Sequence, residues 1–368
     1  MSNALRGLAG DRPPRPAPLD GALATAQELR GEEAGAARGR GAGRGSGLAR
    51  SLTVKIASGV VTLFFVIVFN FFLFRVLPAD PARNLVRGSA LTATQMAKIN
   101  RTFGIGLPLP QQFWNYLVQT SRGNLGISFE FHIPVSQVIG AALWPTILLV
   151  GSSTILSTIF GVWIGIRGGW HRGSTFDRSS TAICNTLYAM PDFWLGMVLL
   201  IVFASKWAIF PAGGMHGFGG GGTGFASLGD LLWHLTLPCL VLTLVYLAEY
   251  SLVMRSSLID ELGADYLLTA RAKGLRDSMV RRRHAVPNAL LPSITLIMLN
   301  LGFVISGAIT TETVFTWPGL GLASYNALNF PDYPVLEGAF LLFSAAVIAA
   351  NLIGDLLLTV FDPRVRQA

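Results

Sequence analysis

Charged residues are scarce in this sequence. Asp, Glu, Lys and Arg make up 13% of its 368 residues, about half the share usual in soluble domains. With 51% hydrophobic residues and a mean hydropathy of +0.52, the composition excludes an ordinary water-soluble globule and implies an integral membrane protein. Cysteine is nearly missing. Cys184 and Cys239 have no close-spaced partner, which excludes a disulfide scaffold or a cysteine-held metal; both lie in or beside apolar runs and are expected to be packing residues. Lysine is rare too: Lys55, Lys98, Lys206 and Lys273 stand singly, and none completes the GxxxxGK[ST] loop that cradles nucleotide phosphates. The five histidines (His132, His171, His216, His234 and His284) include no HExxH pair. No catalytic residue, metal site or cofactor is therefore expected in the chain. His216 and His234 are read as solvated loop residues. Gly217, Gly219 and Gly222 have GxGxxG spacing, but no strand precedes them, so a flexible loop is expected.

The formal charge of +8, from 28 Lys and Arg against 20 Asp and Glu, would suggest nucleic acid in a soluble protein. Here the basic residues are dispersed, without aromatic interleaving, so nucleic acid is not an expected partner. Residues 1–54, rich in Gly, Ala, Pro and Arg, carry no apolar periodicity and read as a disordered cytoplasmic tail. The first apolar run begins after Lys55, too late for a cleaved signal peptide.

A helix needs about 20 predominantly apolar residues to cross a bilayer. Segments 56–77, 138–166, 183–210, 235–254, 290–310 and 335–360 qualify. The expected fold is therefore all-α, integral to the membrane, with six transmembrane helices in a domain covering 55–368. Loop 78–137 is too long for a simple turn and contains amphipathic stretches near 94–103 and 111–120. If the N-terminus is inside, the tail and the segments 167–178, 255–289 and 361–368 carry 21 of the 28 Lys and Arg. Positive loops stay inside, so both termini are expected in the cytoplasm.

The segment 255–289 is the most charged part of the membrane region. Within it, Leu268, Thr269 and Ala270, then Gly274, then His284, Val286 and Pro287 have the spacing of the cytoplasmic EAA loop of bacterial ABC importer permeases. The wording TARAKGL and RHAVPNAL resembles the dipeptide and oligopeptide branch of that family. So do LPADP at 77–81, GNLGISF at 123–129, PDFWLG at 191–196, ETVFTWPGLG at 312–321, DYPV at 332–335 and DPRVR at 362–366, in the family's order. The tail lies outside the resemblance, and the Gly-rich stretch 213–224 looks expanded relative to it.

The resemblance implies the type I ABC importer permease fold and a subunit in the bacterial inner membrane that forms half of a peptide pathway by alternating access. It also implies partners: a second homologous permease, two ATPase subunits that hold ATP and Mg, and an extracytoplasmic substrate-binding protein that meets 78–137 and 312–334. The same branch includes nickel and glutathione importers. The ATPase-docking residues it implies are Asp265, Tyr266, Leu268, Thr269, Ala270, Arg271, Ala272, Lys273, Gly274, Leu275, His284 and Pro287. Physically, a short helix with small Ala270 and Ala272 and apolar Leu267, Leu268 and Leu275 suits a partner's groove, and glycine at 274 suits a tight exit. Its cations would lie near that partner or near anionic lipid.

Ionisable residues inside a span are costly and so are functional candidates. Glu249 and Asp355 qualify, with Asn300 and Asn351 as interhelical hydrogen-bonding candidates. Each is read as lining the pathway or packing helices. Gly161 and Gly165 form a GxxxG suited to close helix approach. Two other classes are weighed: an ion-coupled secondary transporter, which wants paired acids or broken helices near the midplane, and a membrane receptor with no transport role.

Overall fold

The computed structural model describes residues 44–76, 107–217 and 225–361, with side chains described for 53–74, 107–217, 225–300 and 308–354. Most of the tail, the stretch 94–103 and Gly219 and Gly222 lie outside the described residues. Met1–Lys55 and Ile56–Ala368 are two compact units, and everything that follows concerns the second.

The described residues are helical, apart from turns and one isolated bridge between Ile127 and Pro134. Helix α1, Arg44–Phe71, continues as a π-turn over Phe72–Val76; it begins inside the stretch expected to be disordered tail. α2 is Leu109–Ser121, where the amphipathic stretch 111–120 was expected. α3 is Val135–Trp170, α4 Thr175–Ala189, and α5 Asp192–Leu199 with a π-helical continuation Leu200–Lys206. α6 is Phe225–Glu261, α7 Asp265–Ala272, and α8 Asp277–Val280 leads through a π-turn, Arg281–Ala285, into α9, Val286–Gly307. α10 is Ile309–Val314, α11 Leu320–Asn329 and α12 Tyr333–Phe361.

Four helical stretches among the described residues are long and apolar enough to cross a membrane: Thr53–Phe74, Val135–Trp170, Phe225–Glu261 and Tyr333–Gly354. They match the first, second, fourth and sixth expected spans. The third span departs from expectation. Instead of one helix over 183–210, α4 and α5 meet at a 102° bend. Proline disfavours the helical region for the residue before it, and Met190, before Pro191, is extended at φ −83°, ψ 132°. Asp192 then opens α5, its carboxylate accepting the Phe193 amide at 2.7 Å and the Thr310 hydroxyl at 2.5 Å. The fifth expected span, 290–310, coincides with α9.

α3 and α6 make the most extensive helix contact, and small residues are the reason. Gly161, Gly165 and Gly169, four apart, all face α6: a Cβ at Gly165 would lie 2.6 Å from the Ser251 carbonyl oxygen, and one at Gly161 2.8 Å from that of Leu247. Buried Ser153 and Ser157 satisfy their hydroxyls on the helix's own carbonyls. Cys184 and Cys239 are free and buried. At one end of the bundle, Met254, Leu258, Leu267, Ala270, Val280, Ala285 and Ala289 form a core beneath α7. At the other, Val135, Ile139, Leu320, Ala327, Leu336 and Phe343 pack together.

Candidate docking loop and the polar joints of the bundle

The loop 262–285 is built so that a short helix has an inner and an outer face. α7 starts with Asp265, an acid in the first turn, where it complements the helix dipole. It stops at Gly274, whose φ of +77° only glycine adopts without strain. The Gly274 amide bonds the Arg271 carbonyl at 2.9 Å, and Lys273 bonds that of Thr269 at 3.0 Å. Leu267 is fully buried and Ala270 is 7% exposed. Their i, i+3 spacing puts them on one face, and that face is packed on the chain's own core. This corrects the expectation that Ala270 and Leu267 enter a partner's groove.

The outer face is the other one. Leu268 is 62% exposed, with Asp265, Thr269, Arg271, Ala272, Lys273 and Gly274 exposed around it. Pro287 is exposed as well, whereas Tyr266, Leu275 and His284 are half-buried. Tyr266 fastens the loop. Its hydroxyl bonds the Glu261 carboxylate and lies 3.3 Å from the His284 carbonyl, while the Asn288 amide donates to it at 2.9 Å. The Arg281 guanidinium lies over the Trp170 ring at 5.7 Å, tying the loop to the end of α3. The Arg271–Asp277 pair, 3.3 Å apart across the Gly274 turn, is exposed on both sides and adds at most about 1 kcal/mol.

A second joint lies near this end. Ser174 caps α4 by accepting the Asp177 amide at 3.1 Å, and the Asp177 carboxylate accepts the Gly173 amide at 2.8 Å. Arg255 of α6 completes it with two bonds to that carboxylate, at 2.5 and 3.0 Å. The sequence reading missed this pair, because the partners stand far apart in the chain.

Glu249 and Asn300 are brought together: the Asn300 amide donates to the Glu249 carboxylate at 2.9 Å, between α6 and α9. Asn351 is exposed on α12, and the Asp355 side chain lies outside the described residues. His216 and His234 converge on Asp230, at 3.4 and 3.2 Å. Since the His234 side chain is 8% exposed, the reading of it as solvated is corrected: it sits in α6, facing inward. No group of three or more His, Cys, Asp or Glu side chains suited to a metal occurs among the described residues.

The far end has a joint of its own. Asp332, fully buried, accepts the Ser128 hydroxyl at 2.5 Å and the amides of Phe129 and Glu130 at 3.1 and 3.2 Å. It thereby pins the loop before α3 to the start of α12. Burial, reinforced by the nearby Asp332 charge, pushes the Glu130 carboxyl above its ordinary pKa of 4.5. Around this joint Phe131, Ile133, Leu328 and Phe330 are exposed.

Residues 312–321 overturn an expectation. Rather than a loop surface, they form a buried re-entrant turn, with Glu312 and Trp317 fully buried and Phe315 and Leu320 each 1% exposed. The Glu312 carboxylate accepts the Thr146 hydroxyl at 2.7 Å and the Leu322 amide at 3.0 Å, with Gly321 as a further donor. The signal was present in the sequence as an acid among aromatic residues and glycines, but a short polar-looking segment between two spans reads as a loop.

Comparison with known proteins follows this geometry. Residues 157–367 match the family described as binding-protein-dependent transport system inner membrane component, and residues 48–149 match its N-terminal companion. A peptide permease protein of Brucella suis is 39% identical over 300 residues, 80% of this chain and 92% of its own length. The dipeptide transport system permease protein DppB of Escherichia coli is 35% identical over 308 residues, 79% of this chain and 91% of its own. The glutathione transport system permease protein GsiC of Pectobacterium atrosepticum is 35% identical over 305 residues, 83% and 95% of the two chains. With more than half its length matched, the chain belongs to the family of binding-protein-dependent transport system inner membrane components.

Proposed function

We propose that the chain is a permease subunit of an ABC importer, forming half of a peptide pathway across the bacterial inner membrane. The observation that carries this reading is α7: a short helix anchored through Leu267, Ala270 and Tyr266 to the bundle, while Leu268 and its neighbours stand exposed. An anchored helix with a bare outer face transmits force from whatever grips it. In this reading the grip is an ATPase subunit, one of two, holding ATP and Mg. A second permease supplies the other half of the pathway, and an extracytoplasmic binding protein meets the surface around Phe131, Ile133, Leu328 and Phe330.

Six crossings follow if the bent pair α4–α5 and the helix α9 each count as one, giving the type I importer permease fold with both termini in the cytoplasm. Glutathione is the second substrate reading, favoured by the 35% identity to a glutathione permease.

The test is co-purification and uptake. Leu268→Glu is expected to leave the chain folded and inserted but to abolish co-purification of the ATPase pair and ATP-dependent dipeptide uptake in vesicles. Uptake by the isolated chain, or full ATPase binding by the Leu268→Glu chain, would sink the proposal. Competition between a labelled dipeptide and glutathione separates the two substrates.

A further inference from the structure

The re-entrant segment α10–α11 is held by an arrangement more specific than packing. Each donor to Glu312 is identifiable. Thr146, on α3, gives its hydroxyl proton to Glu312 and accepts the Leu320 amide at 2.8 Å. Gly321 and Leu322 give their amides to the carboxylate. Leu320, Gly321 and Leu322 are the first residues of α11, whose amides have no partner within their own helix. Glu312 is therefore the cap of a helix that begins eight residues further along the chain, and the negative charge sits at the positive end of the α11 dipole.

The surroundings admit no looser arrangement. A Cβ at Gly319 would collide with the Glu312 carboxylate, and one at Gly321 would lie 2.6 Å from the Ile309 Cα. The Trp317 indole donates to the Pro145 carbonyl of α3 at 2.9 Å, so two neighbouring residues of α3 each hold the segment. α10 ends with paired bonds, Trp317 amide to Glu312 carbonyl at 2.8 Å and Thr316 amide to Thr313 carbonyl at 3.3 Å. That closure puts Thr316 at φ +49°, where glycine is usual and a β-branched residue is strained. Strain of this kind persists only where its surroundings over-determine the geometry.

The structure assigns Glu312 a positioning role in transport: its carboxylate, through Thr146 and the first turn of α11, makes α3 and the re-entrant segment move as one body during the transport cycle. The assignment rests on the importer reading for the cycle itself. Because every neighbouring group donates, an ionised acid is required at 312. An amide would set its own NH2 against a donor.

The experiment uses the assembled transporter. Spin labels are placed at exposed Trp144 on α3 and Leu328 on α11, and in a second preparation at Leu328 and Met279 of the docking loop. Between nucleotide-free and ATP-trapped states the Trp144–Leu328 distance is expected to shift by less than about 2 Å, while the Leu328–Met279 distance changes by more. Glu312→Ala and Glu312→Gln are expected to broaden the Trp144–Leu328 distribution and cut uptake at least tenfold, with partial recovery in Glu312→Asp.

A larger Trp144–Leu328 shift in the unmodified chain, alongside movement of the control pair, overturns the assignment and leaves the importer reading standing. Wild-type uptake with a narrow distribution in Glu312→Ala also overturns it. No ATP-driven movement at the control pair overturns the importer reading, and the assignment with it. Should Glu312→Ala fail to accumulate, the distance test in the unmodified chain decides.

Discussion

At the scale of single residues, the bundle depends on a few polar groups whose partners are remote in sequence. Asp177 has a side chain 3% exposed and meets Arg255 in a two-bond pair. Removing one partner of a buried pair costs about 3 kcal/mol, so Arg255→Met is expected to lower the unfolding temperature of detergent-purified protein, and Asp177→Asn with Arg255→Met to recover part of the loss. Glu130 gives a pH-dependent counterpart. Because its folded pKa lies above 4.5, the folded chain retains that proton to higher pH than the unfolded chain. Its contribution is therefore favourable at low pH and is lost as pH rises through the window above 4.5. Glu130→Gln is expected to flatten that part of the stability profile; an unchanged profile would refute it. None of these partners was legible beforehand. Asp177, Asp332 and Glu312 look like loop acids in the sequence, and only the folded chain shows which amides and hydroxyls they satisfy. Glu249 and Asn300 were legible one at a time, since an ionisable residue inside an apolar run is conspicuous, but not as a pair.

At the scale of elements, hydropathy located most helices well and their ends less well. α3 and α6 extend past the apolar runs that revealed them, because polar ends such as Arg167 and Arg255 continue the helix outside the apolar stretch. The broken third span was foreshadowed by Pro191, but a bend and a kink look alike in sequence. The 102° angle comes from the extended Met190 and the tie from Thr310 to Asp192. The GxxxG of Gly161 and Gly165 understated the seam, which runs on to Gly169. Gly165→Leu is expected to separate α3 from α6 at a cost of about 1–3 kcal/mol, read as lower thermal stability. The same substitution at Gly151, where an added Cβ meets nothing within 4 Å, is expected to have little effect. On α7, Leu267→Ala opens a void in the loop's own core and is expected to cost about 2–5 kcal/mol, whereas Leu268→Ala, on the exposed face, leaves stability unchanged. Thermal unfolding of the two variants checks this, and equal losses would contradict the two-faced reading.

For the whole molecule, family membership, the apolar helices and the docking loop agree on a membrane-embedded permease. The orientation proposed from loop charge predicts that short epitope tags at both termini are digested by protease in inside-out vesicles and protected in right-side-out ones. The substrate is the least legible property, because selection belongs to surfaces that several chains share. One further consequence follows from sheer length. α3 and α6 contain 36 and 37 residues, or about 54–56 Å at 1.5 Å per residue, against a hydrocarbon core of about 30 Å. Locked along the glycine seam, they are a stiff double rod that overhangs the bilayer. A tilt of about 10° about one end carries the other through about 9 Å. Such a rod turns a small stroke at the docking loop into a displacement as wide as a side chain is long, so a modest closure below can open a passage above.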